Sequence, residues 1–413
     1  IAPGTNDGGR YTIKFCNVTV KYTHPGWNDT INTQIWLPLD DWNGRFQALG
    51  CGGYATGLGS IYLTHAVAQG YSSASTDGGF ATGATTIPTD FSWNYAFKAT
   101  NDMAIIGKQI TISYYGRAAN YSYFTGCSGG GRQGLMMAQT FPDAFDGILA
   151  ISPASHLETF IPAAYWPEQV MNQNEYYPSP CEVEGFTKAA VKACDRMDGV
   201  EEGIISDPSI CNLTAYSFVG QNFICNGTRY SLAASGAQVV EAAWSGSGKE
   251  AWFGLNKGAA IGSYYVPTAC SGNGTCYSSG APLFGKWISN LVVKDPDLAI
   301  NNMTNAAFSK ALHASFVGNV ESYLSSFDAN GGKMITWHGI ADEAIPPNGT
   351  IKYYDEVLDN DPEVQDFYRF FEAPGVAHCY VGLGPIPNEA ISILVAWVEK
   401  DDVPVILHAT NGK

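Results

Sequence analysis

The stretch "FTGCSGGGRQG", residues 124–134, sets Ser128 in a G-x-S-x-G turn with Cys127 directly before it. A serine hydroxyl becomes a nucleophile only with a base in hydrogen-bond reach and a carboxylate that holds that base in the right tautomer. "PGVAHCYVG", residues 374–382, offers His378 as the base, and again a cysteine, Cys379, stands beside it. "HGIADEAIP", residues 338–346, offers Asp342 as the acid, with Glu343 as the second candidate. The order serine, acid, histidine is one of the known chain orders for such a triad. Six other histidines compete: His24, His65, His156, His313, His338 and His408. His338 is the nearest rival, but it lies at a strand end upstream of Asp342, which breaks the order. The chemistry implied is acyl transfer through serine.

The two cysteines follow from the same geometry. If Ser128 and His378 touch, their chain neighbours Cys127 and Cys379 fall within disulfide range. A bond there ties together loops some 250 residues apart and restricts the unfolded chain by roughly 4–5 kcal/mol in the entropy model. It also fixes the distance from serine to histidine.

Such a site needs elements to hold it. "FCNVTVKY" (15–22), "TQIWLPL" (33–39) and "RFQALGCGGYATG" (45–57) read as strands, the last entering a glycine loop. "NDMAIIGKQITISYYG" (101–116) has helical spacing and a terminal glycine. "YSYFTGCSGGG" then reads as strand and turn, "RQGLMMAQTF" as helix, and "DGILAISP" (146–153) as a fifth strand. This alternation predicts a mostly parallel sheet covered on both faces. From about 156 to 320 the pattern gives way to Tyr, Trp, Asn, Ser and Gly, with six of the ten cysteines. "GGKMITWHGIADEAIP" (331–346) and "DFYRFFEAPG" (366–375) return to strand and loop, and "NEAISILVAWVEK" (388–400) closes as an amphipathic helix. A sheet interrupted by one long insertion fits the α/β-hydrolase plan. The expected division is a catalytic domain of residues 1–155 and 321–413 with a lid domain of residues 156–320.

Composition bounds the setting. The 413 residues are 45% hydrophobic and only 15% charged, with a net charge of −16. So acidic a chain argues against nucleic acid and anionic membranes as partners. Ten cysteines and eight Asn-X-Ser/Thr sequons, at Asn17, Asn28, Asn120, Asn212, Asn226, Asn273, Asn302 and Asn348, point to an oxidising, secretory route. With no signal peptide and no apolar run of bilayer length, the chain reads as a mature secreted protein.

Inside the insertion, "CDRMDGVEEGIISDP" (194–208) places Asp195, Asp198 and Glu202 around a glycine. From residue 198 onward, alternate positions can aim side-chain and carbonyl oxygens at one point, which suits Ca²⁺ and differs from EF-hand spacing. Cys194 and Cys211 flank this loop and are expected to staple it. Cys270 and Cys276 are close enough for a local hairpin bond, while the pairing of Cys181 and Cys225 stays open. "EAAWSGSGKEAWFG" (241–254) carries Trp244, Trp252 and Phe253, which suit either a planar-ring pocket or the insertion's own core.

With these residues in place, the sequence resembles the fungal tannase and feruloyl esterase family, serine esterases in which a disulfide joins Cys-Ser to His-Cys. "YSYFTGCSGGGRQGLMMAQTFPDAFDGILAISPA", "WHGIADEAIPPNGTIKYY", "APGVAHC" and "WNGRFQALGCGGY" carry the resemblance. It implies an α/β-hydrolase core with a large inserted lid, acting on esters of aromatic acids. It implies an oxyanion hole of backbone N–H groups from Gly129 and from Gly52 or Gly53, as acyl transfer itself requires. Cys51 departs from the family inside that glycine loop, with Cys16 as its candidate partner. The resemblance also implies a structural Ca²⁺ held by Asp195, Asp198, the Val200 carbonyl, Glu202 and the Ile204 carbonyl, where Glu202 replaces an aspartate. The expected activity is a secreted serine carboxylesterase on esters of hydroxycinnamic acids, its substrate a small aromatic ester or a plant cell-wall phenolic ester, with a tannase cleaving galloyl esters as the alternative. An acyltransferase and a catalytically dead binding protein are the readings from other classes.

Overall fold

The computed structural model describes residues 13–50, 52–57, 59–80, 93–247 and 252–410. Eight strands make one sheet: β1 (Phe15–Tyr22), β2 (Ile31–Pro38), β3 (Arg45–Leu49), β4 (Ser72–Thr76), β5 (Tyr121–Cys127), β6 (Gly147–Ile151), β7 (Lys333–Gly339) and β8 (Tyr368–Ala373). Their spatial order is β1-β2-β4-β3-β5-β6-β7-β8. β2 runs antiparallel to β1 and β4, and every pair from β4 to β8 is parallel. This is the α/β-hydrolase sheet expected from the sequence, and it carries the carboxyl ends of β3, β5, β6, β7 and β8 to one edge.

The insertion follows the sixth strand rather than the fifth, because the sequence reading passes over β4. That strand is "SSAST", wholly buried without one large apolar side chain. Small residues are what its neighbours allow. Helix α1 (Ser60–Ala68) leads into it, and helix α2 (Ala99–Tyr115) crosses it so closely that the Ser72 and Thr111 hydroxyls bond. A polar strand satisfied by its own neighbours shows no hydrophobic period.

Helices α2, α3 (Gly129–Thr140) and, after the insertion, Pro347–Asn360 cover one face, around Phe46, Phe124, Met137, Tyr353 and Tyr368. α1 and the closing helix Ala390–Lys400 cover the other, around Trp36, Tyr123, Trp337, Leu394 and Trp397. Glu399 on the closing helix accepts two bonds from Arg45 at 2.6 and 2.7 Å and one from the Tyr123 hydroxyl at 2.8 Å. That fixes the last helix to β3 and β5.

Between β6 and β7 the chain is chiefly helical: α4 (Leu157–Asn174), α5 (Pro180–Cys194) and α6 (Ala234–Ser245), with two short hairpins, Asn222–Cys225 with Thr228–Ser231 and Thr268–Cys270 with Cys276–Ser278. One hydrophobic cluster unites the three helices and also takes in Tyr54, Tyr95, Ala344 and Ile345 from the loops of the sheet. Disulfides Cys181–Cys225, Cys194–Cys211 and Cys270–Cys276 cross-link this segment. The second and third are the pairings expected, and the first resolves the pair left open. Cys51 lies outside the described residues, so the Cys16–Cys51 pairing does too.

α2 approaches the sheet through Gly107, where an added methyl would lie 2.5 Å from the Phe46 ring. Gly107→Ala therefore overpacks this contact. It is expected to cost about 1–3 kcal/mol, read as a lower denaturant midpoint with an unchanged m-value.

Candidate active site

Ser128 sits between β5 and α3 at φ 66° and ψ −121°. That strained turn lifts its side chain out of the sheet. The close approach demands glycine at 126, where a Cβ would lie 2.5 Å from the Gly130 backbone. Ser128 N–H donates to the Ile151 carbonyl at 2.9 Å, and the Ser128 carbonyl accepts from Arg132 and Ala154 N–H, each at 3.1 Å. The elbow is thus sewn to both its helix and the end of β6. Gly129 is the first residue of α3, where helix N–H groups have no intrahelical acceptor and the dipole is positive. Gly52 and Gly53 open the turn after β3, which pairs with β5. Both therefore stand at the same sheet edge as Ser128.

Asp342 follows β7 and is fully buried. Its Oδ1 accepts the N–H groups of Ala344 and Ile345 at 2.8 Å each. Its Oδ2 accepts from His378 Nδ1 at 2.8 Å and from His338 Nε2 at 3.0 Å. Burial alone would raise this carboxyl. The His378 charge and the bonds from both histidines outweigh it and hold the group well below the usual carboxylate range. Glu343, the second candidate acid, accepts the backbone N–H of His378 at 2.9 Å rather than touching its ring.

His378 lies in the loop after β8. Two backbone bonds zip this loop to the acid loop: Ile340 N–H to the Ala373 carbonyl and Ala341 N–H to the Val376 carbonyl, both 2.9 Å. Its Nδ1 faces Asp342, which leaves Nε2 as the basic nitrogen. Burial pulls the imidazole's proton affinity down. The charge and hydrogen bond of Asp342, and then Glu343, pull it up further, so the net shift is upward. Of the rival histidines, His156 packs at a tilt against Trp252, ring centres 4.8 Å apart, and burial pushes its imidazole down to about 4. His24, just past the end of β1, bridges Asp29 and Asp102 beside the outer strands β1 and β2.

Cys127 and Cys379 are bonded, their Cα atoms 5.9 Å apart across 252 residues. Cys379 takes φ 64°, so strained backbone stands at the serine and at the cysteine beside the histidine, with the bond between their loops. A ring nitrogen of His378 lies within 4.8 Å of both sulfurs. Sulfurs spent in a disulfide offer no thiolate, so this cluster is no metal centre. Tyr380 packs edge-on to Trp337 and anchors the far side of the loop.

The acidic loop is built from hard oxygen donors, which suit Ca²⁺ in type. Its carboxylates are engaged within the loop. Asp195 accepts Glu202 and Gly203 N–H at 3.0 Å, Asp198 accepts Val200 N–H at 2.9 Å, and Glu202 accepts the Ser206 hydroxyl at 2.7 Å. Among the described residues, the carboxylates of Asp195, Asp198 and Glu202 do not gather within 4.8 Å of one another. The Ile204 side chain packs against Gly375 of the histidine loop. Trp244 is buried in the insertion's core against Phe218, while Trp252 lies between His156 and Gly349. Of the eight sequon asparagines, all but Asn348 are exposed; Asn348 is half-buried, and the hydroxyl of its Thr350 bonds His338.

An elbow serine, a histidine held by a buried aspartate and helix N–H groups beside them define a serine-hydrolase type of site on an α/β-hydrolase fold. Residues 16–413 match the family described as tannase and feruloyl esterase, and the chain belongs to that family. A "Probable feruloyl esterase" of Arthroderma benhamiae is 38% identical, over 97% of this chain and 79% of that protein. The "Tannase" of Aspergillus oryzae is 27% identical over 98% and 81%. Among solved structures, the tannin acyl hydrolase from Aspergillus niger superposes with a TM-score of 0.86 at 27% identity, over 97% of this chain and 81% of that one. Feruloyl esterase B from Aspergillus oryzae gives 0.80 at 25% identity, over 97% and 84%.

Replacing Cys127 and Cys379 together by serine frees a loop of 252 residues. Stability is expected to fall by up to about 5 kcal/mol in the entropy model, with a lower melting temperature. Turnover should fall by at least about tenfold as the serine–histidine distance loosens. Because Asp342 raises His378, the acidic limb of kcat/KM should lie above the ordinary histidine value, with activity lost as pH drops through it.

Proposed function

We propose that this chain is a secreted serine carboxylesterase hydrolysing esters of hydroxycinnamic acids, with Ser128 as nucleophile, His378 as base and Asp342 as acid. The observation that carries the reading is the 2.8 Å bond from His378 to a buried aspartate, in a loop cross-linked to the residue beside Ser128. His378 Nε2 takes the Ser128 proton as Oγ attacks the ester carbonyl. N–H groups at Gly129 and at Gly52 or Gly53 receive the oxyanion, and His378 then protonates the departing alcohol. Water, deprotonated by the same histidine, releases the acid and frees Ser128.

Residues 156–320 act as the lid. Supporting this, Asn256 donates to the Ile340 carbonyl at 3.1 Å, and the insertion shares its core with Ala344 and Ile345 beside Asp342. Four disulfides, and no described helix long and apolar enough to cross a membrane, support an extracellular setting. The loop of Asp195, Asp198, Val200, Glu202 and Ile204 takes a structural Ca²⁺, a reading supported by its hard oxygens and its Cys194–Cys211 staple. Galloyl ester cleavage is the second reading, favoured by the higher TM-score to the tannin acyl hydrolase.

Initial rates on methyl ferulate, chlorogenate, methyl gallate and p-nitrophenyl acetate test the reading. Preference for the cinnamates is expected, preference for gallate would favour the tannase, and Ser128→Ala should lose on the order of 10⁴-fold in turnover. Chelation with EDTA is expected to lower the melting temperature by about 2–4 °C, with recovery on adding Ca²⁺. An unchanged melting temperature would count against the ion.

A further inference from the structure

His338 is fully buried at the end of β7, and the hydrolytic cycle above does not use it. Its Nε2 meets two acceptors, Asp342 Oδ2 at 3.0 Å and the Ile345 carbonyl at 3.2 Å. A carbonyl only accepts, so Nε2 carries the proton. On the other side of the ring the Thr350 hydroxyl lies 2.8 Å from Nδ1 and can donate into it. The tautomer is therefore set by a backbone group and a helix hydroxyl.

Asp342 Oδ1 is filled by two N–H groups, and Oδ2 has two lone pairs. One receives His378, and in a site closed to water the other needs its own donor. We propose that His338 is a positioning residue for the acid: its Nε2–H holds Asp342 Oδ2 in the rotation at which the same oxygen receives His378 Nδ1–H. By taking a share of that oxygen, His338 also limits how strongly Asp342 binds the protonated His378. Without it, the carboxylate's charge falls on His378 alone, and the base holds its proton to higher pH. The other titratable groups facing this cluster are Glu343, at the His378 backbone, and Glu372, paired with His338 across β7 and β8. Tyr264 and Tyr265 face it from the insertion.

The inference rests on the triad proposed above, and its test separates the two. kcat and KM are measured against pH on methyl ferulate and p-nitrophenyl acetate for wild type, Ser128→Ala, His338→Leu and His338→Gln. His338→Leu is expected to lower kcat by about 10–100-fold with KM changed less than about twofold. Its acidic limb should move up by about 0.5–1 pH unit. His338→Gln, whose amide N–H can replace the donor, should recover most of kcat and return the limb toward wild type. Loss of kcat with an unmoved limb, or equal behaviour of the two variants, would overturn the role. An active Ser128→Ala would instead overturn the triad. Imidazole ¹⁵N spectra of the wild type decide the matter even where a variant fails to fold. His338 should show a protonated Nε2 throughout the pH range of activity, and a bare Nε2 would sink the proposal.

Discussion

A carboxylate shut away from water is tolerable only when donors surround it. Asp342 meets that condition with four, two from its own loop and one from each of two histidines. The architecture of the sheet edge follows from it. The acid loop must curl to present its amides, β7 must end with His338 pointing inward, and the histidine loop must lie flat enough to bring His378 against Oδ2. The bonds joining residues 340 and 341 to residues 373 and 376 supply that last fit.

The serine comes to this arrangement from the other side. β5 and β7 both pair with β6, so the elbow and the acid loop are separated by one strand. The disulfide joins the elbow to the histidine loop that follows β8, with β6 and β7 lying between β5 and β8, and both loops hold backbone with positive φ. Strained conformations persist only where surrounding structure over-determines them. Here they are fixed by the β6 end, the α3 helix and a covalent bond.

The parts of this arrangement that chemistry constrains tightly are readable from the chain. Gly126 and its neighbours, Cys127 beside Ser128 and Cys379 beside His378 are local signals, and each names its partner by role. Less is readable where packing decides. Ser72–Thr76 is buried because Gly107 and Thr111 of α2 come close, a fact with no trace in its own composition. The helices of the insertion carry interrupted patterns, with Pro162 and Pro167 inside α4, and their apolar faces meet one another rather than a sheet. His338 shows the limit most clearly. Its place upstream of Asp342 excludes it as the base, yet its bond to the same oxygen appears only when the loop has turned back on the strand.

The connectivity of the sheet also sets when the chain can acquire its chemistry. Ser128 follows a strand in the first third of the sequence, while Asp342 and His378 follow the last two strands. β7 reaches β6 only across the whole insertion, where Lys333 pairs with Gly147. On a ribosome the elbow, its helix and the helical insertion all emerge before a histidine exists to face the serine. Contacts of such long sequence separation close late and slowly. The esterase site is thus a product of the final docking of the fold, and no amino-terminal fragment lacking β7 and β8 contains it.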